Sequence, residues 1–246
     1  MELISVIMPY YKKKFFVKSA INSILSQTYK KFELIIIYDD EDQTELKLLK
    51  KISIKDKRIK LLINKKNIGA GQSRNKAIEI SKGKYLAFID SDDLWVTKKL
   101  EKQYIFMKKN NYCATHTSYK IINSNNRILA YRKARDFKKL NSLLKSCDIG
   151  LSTVLIKKKI LGKKLRFANL KTKEDFVLWL KILNSKNEII SLDEPLTKWR
   201  KLENSLSSSI FQKLIDGFSV YNKYMKINVF KSLYFVVCLS INFIRK

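Results

Sequence analysis

The sequence predicts an α/β fold in which a mixed sheet is flanked by helices and followed by a helical C-terminal tail. Three observations carry this expectation. Strand-length apolar runs alternate with segments of helical periodicity over residues 1–93, the pattern of a βαβ series. Two of those strands run into acidic residues, most densely at Asp90-Ser-Asp-Asp93, and open α/β sheets bind ligands at the carboxyl ends of their strands. Beyond residue 207 apolar residues recur at helical spacing, and no acidic residue follows Asp216.

Residues 3–8 form a nearly continuous apolar run, as in a strand buried on both faces, and stop at Pro9-Tyr10-Tyr11. Val17, Ala20, Ile21, Ile24 and Leu25 predict an amphipathic helix ending near Tyr29. Phe32-Glu-Leu-Ile-Ile-Ile-Tyr38 reads as a second strand and runs into Asp39, Asp40, Glu41 and Asp42. A lysine-rich helix over 44–51 and a strand over 58–64 follow. The loop Asn67-Ile-Gly-Ala-Gly71 opens a helix over 72–82, with Gly83 expected as its left-handed C-cap. A fourth strand then delivers the acidic cluster, and the crossovers should be right-handed.

A helix over 97–110 turns Leu100, Tyr104 and Met107 inward. Residues 112–122 alternate, and the polar turn Asn123-Ser-Asn-Asn126 leading to Ile128-Leu-Ala-Tyr131 predicts a hairpin. A short helix at 141–146, a strand at 151–156, a helix at 173–184 and strands at 189–192 and 196–200 complete this half. Glu174 and Asp175 fall in the first turn of the helix at 173–184. In the tail, Phe211, Leu214, Ile215, Phe218 and Tyr221 lie on one stripe.

The chain has 246 residues and a net charge of +29, from 51 Lys and Arg against 22 Asp and Glu. Such a charge calls for a polyanionic neighbour: nucleic acid, an anionic membrane or phosphorylated substrates. The lysines are spread along the chain, which argues against a dedicated nucleic-acid patch and leaves a compositional bias as the plain alternative. Three distant cysteines without a Cys-x-x-Cys pair give neither a disulfide framework nor a zinc site, so a reducing, cytoplasmic setting is expected. No signal peptide is expected, and no segment reaches the roughly 18 apolar residues of a spanning helix. The single histidine, His116, excludes a histidine metal cluster and is read as structural, with an acceptor-facing position as the alternative. The apolar segment at 232–244, flanked by Lys231 and Arg245-Lys246, has the character of a helix lying in an anionic headgroup layer, or of one docked on the domain or a second chain.

Three carboxylates in four residues repel one another unless a cation joins them, and hard oxygen ligands suit Mg²⁺ or Mn²⁺. The competing reading is an acidic turn capping the next helix, with Thr97 as N-cap. Five stretches in order, Ser5-Val-Ile-Met-Pro-Tyr-Tyr11, Asp39-Asp40, Asn67-Ile-Gly69 with Arg74-Asn75, Asp90-Ser-Asp-Asp93 and Glu174-Asp175, decide between them. Together they resemble family 2 glycosyltransferases of the GT-A fold, in the non-processive bacterial branch that builds lipopolysaccharide and capsule. The resemblance covers residues 3–200, and Trp199-Arg200 with Asn204-Ser-Leu-Ser207 is similar to that branch's tail.

The resemblance implies a GT-A catalytic domain over 1–206, with a nucleotide-binding half at 1–93 and an acceptor half at 94–206, and a basic amphipathic tail at 207–246. It implies that Pro9, Tyr10, Tyr11, Asp40, Asn67, Arg74, Asp90 and Ser91 bind the nucleotide, with Tyr11 offering a stacking face and Asp40 accepting from a uracil imide. Asp92 would hold Mn²⁺ or Mg²⁺ with Asp93 behind it, and Asp175 would be the general base. Glu174, Trp199 and Arg200 would stand behind these groups or on the acceptor side. The implied reaction is an inverting transfer from a nucleotide sugar, UDP-linked as the first expectation, to a lipid-linked or oligosaccharide acceptor. It would run at the inner face of a bacterial inner membrane, with no specific nucleic acid involved.

Two departures bear on the site. The histidine that often follows the tail arginine is replaced by Lys201-Leu202, and the usual Asp-Asp-Gly-Ser loop reads Asp39-Asp-Glu-Asp42. The rival function is a non-catalytic protein binding polyanions or membranes on a degenerate GT-A scaffold. A nucleotidyltransferase would need a glycine-rich, lysine-containing phosphate loop near the first strand.

Overall fold

The computed structural model describes residues 1–202 and 209–244. Its strands are β1 (Ile4–Tyr10), β2 (Phe32–Tyr38), β3 (Ile59–Ile63), β4 (Tyr85–Phe88), β5 (Leu94–Trp95), β6 (Ala114–Ile122), β7 (Ile128–Arg132), β8 (Leu155–Lys157) and β9 (Ile190–Arg200). The helices are α1 (Lys14–Leu25), α2 (Leu46–Lys55), α3 (Ala70–Ile80), α4 (Lys99–Lys109), α5 (Asn141–Leu144), α6 (Glu174–Asn184), α7 (Ile210–Ser219) and α8 (Val229–Ile244). One mixed sheet runs in the order β3-β2-β1-β4-β8-β6-β9-β5, with β7 hydrogen-bonded to β6. β3, β2, β1 and β4 are parallel, and β8 joins β4 antiparallel.

The apolar runs of β1 and β2 are buried on both faces, and their period of two feeds two cores. Ile4, Val6 and Met8 pack with Val17, Ile21 and Ile24 of α1, Leu49 of α2, and Leu100 and Met107 of α4. Ile7, Ile35, Ile37 and Phe88 face Ala77 and Ile78 of α3 and Phe176, Trp179 and Leu180 of α6. The sheet therefore holds β1, β2 and β4 rigid up to their carboxyl ends, where the acidic loops begin.

Several expected details differ, each for a tertiary reason. Gly83 is no left-handed cap: α3 ends at Ile80, and Ser81 is already extended. A Cβ at Gly83 would lie 2.5 Å from Ser5 N, so the glycine admits a close backbone approach instead. Thr97 does not cap α4, which starts at Lys99, because Leu94 and Trp95 pair with Lys198 and Thr197 of β9. Residues Leu151–Thr153 form a 3₁₀ turn rather than a strand, since the Ser152 carbonyl accepts from Trp95 Nε1 at 2.8 Å and Thr197 Oγ1 at 3.1 Å. The two strands expected at 189–192 and 196–200 are one, β9, whose register against β6 shifts around Pro195. A proline has no N–H to give the ladder, so it fits where the register breaks.

The tail joins the α3–α6 side of the core. Val220, Tyr221 and Leu239 are buried there, and the Tyr221 ring meets Phe176 edge-on at 6.2 Å. Buried Asp216 accepts from the Thr172 backbone N–H at 2.8 Å and the Thr172 hydroxyl at 2.9 Å. The expected stripe is thus divided: Tyr221 is buried, whereas Phe211, Leu214 and Ile215 face outward. The Asn204-Ser-Leu-Ser207 motif and the 206/207 boundary lie outside the described residues.

Candidate active site

The site is built from the carboxyl ends of β1, β2 and β4, closed by the first turns of α3 and α6. Asp39 organises one wall. Its carboxylate accepts from Ile68 N and Gly69 N, each at 2.9 Å, and from Asn64 Nδ2 at 2.7 Å. Gly69 holds φ +86°, a conformation a side chain would strain, and it immediately precedes α3. A carboxylate on the N–H groups at a helix start is favoured by their partial positive charge. Asn67 completes the wall by donating to the Asp39 carbonyl at 2.8 Å.

Asp40 turns the other way, accepting from Lys12 N at 3.0 Å and Asp42 N at 3.2 Å. Together with Tyr11, Lys12, Glu41, Asp42 and Asn67 it lines a cavity of about 200 Å³. Tyr10 is a correction. It lies in β1 pointing into the α1–α4 core, where its buried ring stacks on Tyr38 at 5.0 Å, so it offers no face to a ligand. Pro9 is likewise a buried β1 residue, while Tyr11 is partly exposed at the cavity.

Arg74 was expected to turn its fork to the nucleotide; in the fold that fork is spent on two carboxylates. Nη1 meets Glu174 Oε1 and Nη2 meets Asp90 Oδ1, each at 2.6 Å, and the side chain is only 3% exposed. One guanidinium therefore ties the end of β4 to the start of α6. Gly71 permits the closeness, since a Cβ there would lie 2.7 Å from the Ala168 carbonyl oxygen and 3.1 Å from Glu174 Cγ.

The three acids of the β4 loop diverge. Asp90 points to Arg74. Asp92 Oδ2 pairs with Lys13 Nζ at 2.8 Å. Burial, reinforced by Asp90, holds the Asp92 carboxyl above its usual range against the pull of Lys13. Asp93 is buried, accepting from Ser152 Oγ at 2.5 Å and Arg200 N at 2.8 Å, and burial raises it further. Ser91 between them is buried, and Asp90 N donates to Ser152 Oγ at 3.1 Å.

Arg200 grips this loop from β9. It donates to the Asp92 carbonyl at 2.8 Å, the Asn123 carbonyl at 2.7 Å and Asn126 Oδ1 at 2.8 Å, and stacks over Phe16. Trp199, its neighbour, is half-buried in register with Ile121. Asp175, partly exposed on the first turn of α6, accepts from Phe176 N at 2.8 Å. Burial, with the charge of Glu174 beside it, pushes its carboxyl up to about 7 in spite of Arg74. His116 is buried, donates Nε2–H to the Arg135 carbonyl at 2.8 Å and is pushed down to about 4, so it is neutral and structural.

The donor set suits a hard divalent ion. It consists of carboxylate oxygens, and Asp92 Oδ2 already accepts a cationic group at 2.8 Å. Among the described residues no three or more His, Cys, Asp or Glu converge as a ready cage. Water and diphosphate oxygens would have to complete the coordination, as Mg²⁺ and Mn²⁺ accept.

Asp39 belonged to a motif stretch but carried no expected role, and Ser152 and Lys13 were not singled out from sequence. The Gly69 helix start next to a strand-end acid was the available signal for Asp39. Nothing marked Ser152, and Lys13 sat within an ordinary lysine run.

A parallel β3-β2-β1-β4 half with antiparallel additions and strand-end acids facing α3 and α6 defines the GT-A class of nucleotide-sugar transferases. The chain belongs to it by descent: residues 5–164 match the model of glycosyl transferase family 2, so this is a family 2 glycosyltransferase. The Escherichia coli UDP-Glc:alpha-D-GlcNAc-diphosphoundecaprenol beta-1,3-glucosyltransferase WfgD is 37% identical over 96% of this chain and 91% of its own length. A second E. coli enzyme of the same description, WfaP, is 34% identical over 87% of this chain and 84% of its own. Among solved structures, Staphylococcus aureus TarS 1-349 in complex with UDP-GlcNAc superposes with a TM-score of 0.74 over 96% of this chain and 70% of that one, at 22% identity. The mannosyltransferase PcManGT of Pyrobaculum calidifontis, in complex with GDP-Man and Mn²⁺, gives 0.70 over 96% and 68%, at 13%. The two structural likenesses confirm the fold, and the relatives set aside the reading as a non-catalytic polyanion binder.

Proposed function

We propose that the chain transfers a sugar from a UDP-linked donor to a lipid-linked saccharide in surface-polysaccharide synthesis, with inversion and with a divalent metal. The observation that carries the proposal is the Arg74 bridge. It couples Asp90, on the donor side, to the helix turn bearing Asp175, whose carboxyl near 7 suits proton abstraction at neutral pH. Tyr11, Asp40 and Asn67 would receive the base in the cavity they line, and Asp90 the ribose. Asp92 would hold Mn²⁺ or Mg²⁺, which when bound neutralises charge on the departing diphosphate. Asp175 takes the proton of the acceptor hydroxyl as that oxygen bonds to the anomeric carbon. The bond to the nucleoside diphosphate breaks on the opposite face. Arg74 and Glu174 hold Asp90 and Asp175 in place rather than touching the donor, and Asp93 and Arg200 fix the Asp92 loop.

Calorimetric titration with UDP, with and without Mn²⁺ and with GDP and dTDP as controls, tests the donor site. Metal-dependent binding that prefers UDP, and loses its metal dependence in Asp92→Ala, is expected. Unchanged metal-dependent binding in that variant refutes the assignment of Asp92.

The tail supports action at a membrane. Among the described residues no helix is long and apolar enough to cross one. Yet Ile210, Phe211, Phe230, Leu233 and Val237 are at least half exposed, the two phenylalanines at 75% and 85%, amid a segment lacking acids after Asp216. Such faces bind anionic headgroups by apolar burial and charge together. The full chain should float with vesicles containing anionic lipid, and the double variant Phe211→Glu with Phe230→Glu should stay behind; equal flotation of both removes the membrane reading.

A further inference from the structure

We propose that Lys13 is a positioning residue that guards the metal carboxylate: its ammonium occupies Asp92 and yields it more readily to metal arriving with a nucleoside diphosphate than to metal alone. The inference rests on the donor site proposed above and concerns how that site is loaded.

The backbone puts Lys13 there deliberately. Lys12, between Tyr11 and Lys13, holds φ +48°, a left-handed conformation that costs a side-chain-bearing residue about 1 kcal/mol or more. Asp40 secures that turn by accepting the Lys12 N–H at 3.0 Å. The turn ends β1 and starts α1 at Lys14, leaving Lys13 across from the β4 loop with its Nζ 2.8 Å from Asp92 Oδ2. Neither group is freely hydrated, the Lys13 side chain being 23% exposed and that of Asp92 13%. Asp92 shares its short loop with Asp90 and buried Asp93, so a bare carboxylate there would be costly. An ammonium on a flexible stem meets that cost and can be displaced, which a rigid guanidinium bridge like that of Arg74 cannot.

Two consequences follow by mass action. Metal alone must compete with Lys13 for Asp92, so it binds weakly. A nucleoside diphosphate brings negative charge that can take over the released ammonium, so metal and nucleotide bind with positive coupling, and the coupling is reciprocal. Asp40 belongs both to the base cavity and to the turn carrying Lys13, which places the base and the guarded carboxylate on one short segment.

Mn²⁺ binding to the full chain, read from the electron paramagnetic resonance signal of free Mn²⁺ with and without UDP, tests the proposal. Lys13→Met should bind Mn²⁺ alone about three- to tenfold more tightly than wild type, the worth of a half-buried ion pair. It should also show smaller Mn²⁺–UDP coupling. Lys13→Arg should restore weak metal-only binding, and Lys14→Met, whose ammonium lies over the Phe15 ring, controls for loss of one positive charge. Lys13→Met that takes up Mn²⁺ no more tightly than wild type, or no more than Lys14→Met does, overturns the proposal. If wild type binds UDP and Mn²⁺ but coupling is indifferent to Lys13, the guard alone fails; if wild type binds no UDP, the donor-site reading fails with it.

Discussion

Replacing Asp175 with asparagine is expected to lower kcat by about two to four orders of magnitude, the usual worth of a general base, while UDP binding and folding persist. Asparagine keeps the shape and still accepts from the Phe176 N–H, so the loss isolates the proton acceptor. The pH dependence follows from the same carboxyl. It is pushed up to about 7, and only the ionised form can take a proton, so kcat/KM should rise about tenfold per pH unit below that value and level off above it. Glu174 is the charge that, after burial, raises Asp175 most, so Glu174→Gln should move the rising limb to lower pH. Stopped assays of sugar transfer across pH check both. Near-wild-type turnover in Asp175→Asn would assign the base elsewhere.

Arg74→Ala should damage stability and turnover at once. It strips a buried partner from Asp90 and Glu174, whose side chains are 35% and 13% exposed. Removing one member of a buried pair costs about 3–5 kcal/mol, and the partial exposure of Asp90 moves the expectation to the lower end. For a domain of this size that is a Tm lower by about 5–10 °C. Turnover should fall further than binding, because Asp90 and the α6 turn bearing Asp175 lose their common tether. Arg74→Lys should recover only part of either, since one ammonium cannot serve two carboxylates bidentately. Thermal melts and kinetics of both variants read this directly; wild-type melting of Arg74→Ala would show that the bridge holds nothing.

Much of the fold is legible because its signals are local. The β1 and β2 runs are apolar on both faces, α1 and α4 carry inward residues at helical spacing, and the β6–β7 hairpin follows from alternation and the Asn-rich turn. Acids clustered at strand ends likewise marked the site, since strand register delivers whatever follows the strand to one edge.

What each acid does was not local. Asp39 and Asp40 are adjacent and chemically alike, yet one holds the Ile68-Gly69 backbone leading into α3 and the other faces the cavity, because consecutive residues leave a strand in opposite directions. Tyr10 and Tyr11 divide between core and cavity in the same way. Ser152 became a 3₁₀ turn under Asp93, and Leu94–Trp95 a strand on β9, through partners more than 50 residues away in sequence.

By itself, then, the sequence determined the α/β class, the alternation of elements and the edge at which chemistry is gathered, since these depend on hydrophobic period and on residue type at strand ends. Only the tertiary structure decided that Arg74 is a tether, that Lys13 sits on Asp92 and that Asp175 is lifted to about 7. Ion pairing and desolvation depend on distances between groups brought together from separate elements, and no spacing along the chain encodes those distances.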